Sequence, residues 1–152
     1  MLSSTEKKYL LAVYLTTDEG STRLKRVADF LKVKMPSAKQ VLEFLAEKKM
    51  VNYVRRGPIS LTKKGQEIAL KEYERFTNLK TFLKNVLFLR EEEAERGAWE
   101  IFFAMEESIA NRIVDFVNFL NQCPQITPLC IKGFKEFLET GNFPKLCQLR
   151  KQ

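Results

Sequence analysis

The sequence contains no histidine. That removes the side chain that most often serves as a general base, the usual catalytic zinc site, and every Ser-His or Cys-His nucleophile pair. No phosphate-binding loop is visible either, which leaves an enzyme as the weakest functional reading. Cysteine is scarce. Cys123, Cys130 and Cys147 all fall in the last 30 residues, and an odd number in a chain expected to be cytoplasmic argues against a disulfide framework. No apolar run approaches the roughly 20 residues that span a bilayer, so no membrane partner is expected. The opening MLSSTEKKYLL is too charged and too short for a signal peptide. Repeats and low-complexity segments are also missing.

What is present is an excess of bases over acids, 26 against 19, for a formal charge of +7. Such a balance suits a polyanionic partner or simply a soluble basic surface, because net charge governs association rather than fold. With 152 residues, 45% of them hydrophobic, the chain can pack one medium domain or two small ones.

The order of elements is more informative than composition. Ser3-Ser4-Thr5-Glu6 offers helix caps ahead of Tyr9, Leu10, Val13 and Tyr14 at helical spacing, and this first helix ends near Gly20. Leu24, Val27, Ala28 and Leu31 mark a short amphipathic helix with Arg23, Lys25 and Arg26 on its other side. A third helix begins at Met35-Pro36-Ser37, where proline's missing N–H costs nothing, and its apolar stripe is Ala38, Val41, Leu42 and Leu45. Two short helices joined by a tight turn form a helix-turn-helix, whose second helix can enter a DNA major groove. Met50–Val54 and Pro58–Leu61 then read as a β-hairpin with Arg55-Arg56-Gly57 at its tip. Three helices followed by a hairpin give a winged helix.

From Thr62 to Leu89 runs one long helical pattern with Ile68, Ala69, Tyr73, Phe76, Leu79, Leu83 and Leu87 facing inward. The next helix starts with acids, favourable at its positive end, and contains GAWEIFFAMEE, in which Glu100 sits between Trp99 and an apolar run. SIANRIVDFVNFL adds another, with Ile109, Ile113, Phe116, Val117 and Leu120 on one face. After Pro124 and Pro128 comes a cysteine-containing tail with a short helix near 129 to 140. The expected fold class is mainly α, an N-terminal winged helix-turn-helix followed by a helical dimerisation domain. The expected boundaries are 1–72 for DNA binding, 73–122 for dimerisation and 123–152 for the tail.

The block L-T-x-x-G-x-x-I-A after the wing, the long helix, then W-E and R-I-V-x-F resemble, in order and spacing, a diphtheria-toxin-repressor-type metalloregulator, the family that includes the manganese transport regulators. The resemblance covers roughly the first four-fifths of the chain. It implies a dimeric repressor activated for operator binding by Fe(II) or Mn(II). The family's ligand positions map onto this chain as follows. Lys8 stands before Tyr9 where the family has Asp or Met. Phe76, eleven residues after Gly65, replaces a His, and Lys80 replaces a Glu. Gly97 takes the place of a Cys or Glu, Glu100 remains an acid, and Ile101 replaces a His. A further family histidine falls near Glu93. Since a divalent first-row ion needs several N, O or S donors, Fe(II) or Mn(II) at this site is disfavoured. A lysine, Lys8 or Lys80, is instead expected to pair with Glu100.

Carried across, the family's recognition positions are Lys34, Pro36, Ser37 and Gln40. Gln40 suits an adenine edge, and Lys34 and Lys39 suit phosphates. For these the bland alternative is an ordinary solvated helix face. Arg55 and Arg56 are expected to meet phosphates or a minor groove, the alternative being a charged turn that discourages edge pairing. Trp99, Phe102, Phe103 and Phe116 read as core or dimer interface. The spacing of Cys123, Cys130 and Cys147 matches no standard zinc or iron–sulfur pattern; incidental thiols stand against an iron–sulfur cluster or zinc completed by a fourth ligand. The favoured reading is a homodimeric repressor of the metal or iron homeostasis type on double-stranded DNA, and the alternative is a winged-helix module for protein–protein contact.

Overall fold

The computed structural model describes residues 2–122 and 127–144. The chain resolves into two compact units, Met1–Phe76 and Thr77–Gln152, and the division falls inside a helix.

In the first unit, α1 (Ser4–Thr16) starts with the capping box that the sequence announces. The Glu6 N–H donates to Ser3 Oγ at 3.2 Å, and the Ser3 N–H donates to Glu6 Oε2 at 2.6 Å. The other Glu6 oxygen accepts from Lys48 Nζ at 2.6 Å, so the start of α1 is tied to the end of the third helix. Burial pushes the Glu6 carboxyl up, but the bonds from Lys48 and Ser3 outweigh it and hold the group below its ordinary value. Leu10, Leu11, Ala12 and Val13 are all fully buried, so α1 is the central helix of this unit.

Helix α2 (Leu24–Leu31) buries Val27, Ala28 and Leu31 and stops at Lys32, which adopts the left-handed conformation with φ 55°. After a short turn α3 (Met35–Glu47) begins with Pro36 in its first turn and buries Ala38, Leu42 and Leu45, whereas Val41 is only half-buried. The hairpin pairs β1 (Val51–Tyr53) antiparallel with β2 (Ile59–Leu61) in the register Val51 to Leu61 and Tyr53 to Ile59. Ile59 also exchanges both backbone bonds with Thr22, at 2.7 and 2.8 Å, which pins the hairpin to the loop before α2. At the tip the Gly57 N–H closes a turn onto the Val54 carbonyl at 2.8 Å, and Arg56 sits at φ 61°. Lys49, after α3, is left-handed too, with φ 58°.

Helix α4 (Lys63–Asn85) follows directly. The T-x-x-G block has a physical purpose here. Thr62 Oγ1 accepts from the Gly65 N–H at 3.1 Å and donates toward the Lys49 carbonyl at 2.8 Å, so it caps α4 while binding the turn after α3. A Cβ on Gly65 would lie 1.9 Å from the Met50 carbonyl oxygen, so only glycine admits this approach.

In the second unit the end of α4 is joined by α5 (Glu91–Phe102), α6 (Glu107–Gln122) and α7 (Thr127–Thr140). Its core holds Leu79, Leu83, Ala94, Ala98, Phe102 and Val117. Two expectations are corrected. The long helix ends at Asn85 rather than Leu89, because Phe88 turns left-handed at φ 58° and the Leu89 N–H reaches back to the Leu83 carbonyl at 3.1 Å. Leu87, expected inward, is therefore exposed. On α6 the expected apolar face is covered only in part: Val117 is buried, and Ile109 and Phe116 are half-exposed, as is Phe119 outside that face.

Candidate nucleic-acid interface

The first turns of α3 present Lys34, Pro36, Ser37 and Gln40 to solvent, with Lys39 half-buried and 3.5 Å from Glu43. Beside them the wing, the N-terminus of α2 and α3 enclose an open cleft of about 370 Å³. Among the described residues five cations line it, Arg23, Lys25, Lys39, Arg55 and Arg56, and no carboxylate does. Of the residues expected from sequence, the cleft gathers Lys39, Arg55 and Arg56; Lys34, Pro36, Ser37 and Gln40 lie outside it on the exposed start of α3. Arg23 and Lys25 were given no role by sequence reasoning. Their place becomes legible only once the Thr22–Ile59 bridge brings the start of α2 to the hairpin.

The positions aligned with family metal ligands divide between the units. Lys8 is half-buried on α1, and Phe76 is buried on α4. In the second unit Lys80 does not pair with Glu100. Its ammonium lies 2.8 Å from Glu91 Oε1 and 3.0 Å from Glu95 Oε2, while Lys84 takes the other Glu91 oxygen at 2.6 Å. The physical reason is that Glu91 and Glu95 are successive turns at the start of α5, whereas Glu100 lies farther along the helix and is exposed. Glu93 is occupied as well. It accepts from the Arg90 guanidinium at 2.7 Å and from the Arg90 backbone at 3.3 Å. Gly97 is half-buried and Ile101 is half-exposed.

These residues do not supply the donor set of a first-row divalent ion. A protonated lysine has no lone pair to give, and Phe, Gly and Ile have none at all. Among the described residues no group of three or more Cys, Asp or Glu is arranged to hold a metal. Cys130 is a free, exposed thiol on α7, and Cys123 and Cys147 lie outside the described residues.

The Lys80 bridge has a titration signature. Hydrogen bonds from Lys80 and Lys84 lower the Glu91 carboxyl from 4.5 to about 2, and the bond from Glu91 raises Lys80. A depressed carboxylate stabilises the fold above its unfolded value and loses that contribution as pH falls through the folded one. A carboxyl-resolved NMR titration should therefore show Glu91 titrating near 2, with the link between α4 and α5 persisting down to that pH. A midpoint near 4.5 would show the bridge is not formed.

Sequence reasoning also missed a buried charge cluster in the first unit. Glu72 is 4% exposed and Arg75 8%. Lys7 Nζ lies 3.3 Å, and Arg75 Nη1 3.2 Å, from the same oxygen, Glu72 Oε1. The buried positions Gly65, Ala69, Glu72, Phe76, Leu79 and Leu83 alternate by four and three, a spacing that puts Glu72 on the inward face of the helix but does not reveal its partners.

From residue 62 to 130 the chain matches the family model of the iron dependent repressor, metal binding and dimerisation domain. It is 29% identical over 118 residues to an uncharacterised HTH-type transcriptional regulator of Methanocaldococcus jannaschii, covering 76% of this chain and 94% of that one. Among solved structures, IdeR of T. acidophilum superimposes with a TM-score of 0.64 at 24% identity over 78% of this chain. A manganese-dependent transcriptional repressor complexed with manganese gives 0.65 at 26% over 75%. The chain spans about half the length of these two, 56% and 53% respectively. A winged helix-turn-helix leading through one long helix into the matched segment is the architecture the chain shares with them. The chain thus shares its fold with these two solved structures, and a little under half of its length matches the iron dependent repressor domain.

Proposed function

We propose that this protein is a cytoplasmic transcriptional repressor that binds a palindromic operator as a homodimer, without Fe(II) or Mn(II) at the family's site. The carboxylate-free cleft carries the reading. Five cations around one concavity, next to an exposed helix start, suit a phosphate backbone on one side and base edges on the other. Arg23, Lys25, Lys39, Arg55 and Arg56 hold phosphates, Lys34 adds another, and Gln40 and Ser37 read the major groove. Pro36 fixes the entry of α3. The DNA-binding part corresponds to residues 1–72, and residues 73–122 supply dimerisation. Ile101, Ile109, Phe116 and Phe119, all 43% exposed or more, supply apolar surface for a symmetric contact.

A second reading, contact with a protein partner, draws on the half-exposed Phe30, Val33, Met35 and Phe44 of α2, α3 and the turn between them. Selecting bound duplexes from genomic DNA with anaerobically prepared protein separates the two. The expected result is one palindromic consensus recovered equally with and without chelator. Enrichment that appears only with Mn(II) or Fe(II) would overturn metal independence, and uniformly weak binding without a salt response would favour the protein partner.

A further inference from the structure

The resemblance places ligands on three helices, those that correspond to α1, α4 and α5. In this chain, lysines make both of the connections that such a set of ligands would make. Lys7, adjacent to the Lys8 ligand position, links α1 to α4 through Glu72 at 3.3 Å. Lys80, itself at a ligand position, links α4 to α5 through Glu91 and Glu95. Each link lies within a single unit, and the two are not equivalent. Lys80's acceptors are half-exposed or more, where ion pairs hold little. Glu72 is withdrawn from water, with its side chain 6% exposed, and two cations converge on one of its oxygens. Without its charge, Lys7 and Arg75 would lose the buried acceptor they share.

Glu72 is one helical turn before Phe76, and Arg75 is next to it. The cluster therefore lies beside the positions where the family's donors would stand, with the signs redistributed: cations on α1 and α4 and a carboxylate on α4. A buried ion pair of this kind is better suited to fixing orientation than to adding net stability.

We propose that these resident cations do the work a divalent ion does in the family, with Glu72 as the positioning residue that seats α1 on α4 in the DNA-binding form. The inference rests on the regulator reading only for its DNA arm. The test uses the full chain in two measurements. In the first, hydrogen exchange of α1 amides is followed without DNA, in chelator and in Mn(II). In the second, affinity for the selected duplex and its salt slope are measured in chelator.

The wild-type protein should show the same α1 protection in chelator and in Mn(II). E72Q should exchange faster in α1 and lose roughly tenfold or more in affinity with its salt slope unchanged, since the phosphate contacts remain. K7R, which keeps the cation, should behave as wild type. If E72Q does not fold, Lys7→Met, which leaves Glu72 with Arg75, decides by the same readouts. Protection of wild-type α1 that requires Mn(II) overturns the proposal, as does wild-type behaviour of E72Q and K7M. A loss of affinity accompanied by a shallower slope and loss of helix signal also overturns it, because Glu72 would then serve folding alone. If no duplex binds, the regulator reading fails, and the exchange measurement still decides this one.

Discussion

Raising monovalent salt from about 50 to about 200 mM should weaken operator binding by roughly 500-fold for each winged unit engaged. The figure counts the five cleft cations alone, and Lys34 outside the cleft would steepen the response further. Arg23, Lys25, Lys39, Arg55 and Arg56 line the cleft without a neighbouring carboxylate in its wall. If each neutralises one phosphate, the logarithm of affinity falls with the logarithm of salt at a slope of about −4.5 per unit. Replacing both wing arginines, Arg55→Ala with Arg56→Ala, should make that slope shallower by about 1.8 and weaken binding to all sequences alike. Fluorescence anisotropy across a salt series measures both. A flat salt response would remove the cleft from the interface. A wing variant that loses affinity for the selected site alone would show that the arginines read bases rather than phosphates.

Gly65→Ala should destabilise the protein by about 3 kcal/mol and lower its thermal midpoint by roughly 6–12 °C. The added methyl would stand 1.9 Å from the Met50 carbonyl oxygen and 2.9 Å from its carbon. Both obstacles are backbone, so no side-chain rotation relieves them. The same carbonyl accepts from the Thr62 N–H at 3.0 Å, and Thr62 caps α4, so a shift at Met50 propagates into the start of that helix and the end of the hairpin. Thermal unfolding followed by circular dichroism provides the test, and an unchanged midpoint would show that the approach is looser than described. Substituting Gly20, which has open space around its missing side chain but a φ of 83°, would act through conformation instead.

Much of the winged unit was legible because its signals are local. Ser3 and Glu6 form a reciprocal cap, Pro36 opens α3, and the apolar runs flanking Arg55-Arg56-Gly57 pair as strands. The features that were not legible depend on partners distant in sequence. Glu72 and Arg75 look like solvated charges until α1 brings Lys7 to them. Lys80 was expected to find Glu100, because the resemblance aligned both with ligands; the acids within reach are those that open α5. The break after Asn85 contains neither glycine nor proline, and a phenylalanine at φ 58° leaves no compositional trace. On α6, periodicity marked Ile109 and Phe116 as apolar-face residues but not which apolar positions the unit itself covers.

Lys32, Lys49 and Arg56 occupy left-handed corners of the winged unit, positions where an L side chain costs on the order of 1 kcal/mol and glycine costs nothing sterically. All three carry positive charge. At Arg56, which also lines the cleft, resistance to heat and attraction to a polyanion are therefore set against each other. Laboratory selection for a hardier protein would drift toward glycine at that corner, and selection for tighter binding would drive the arginine back.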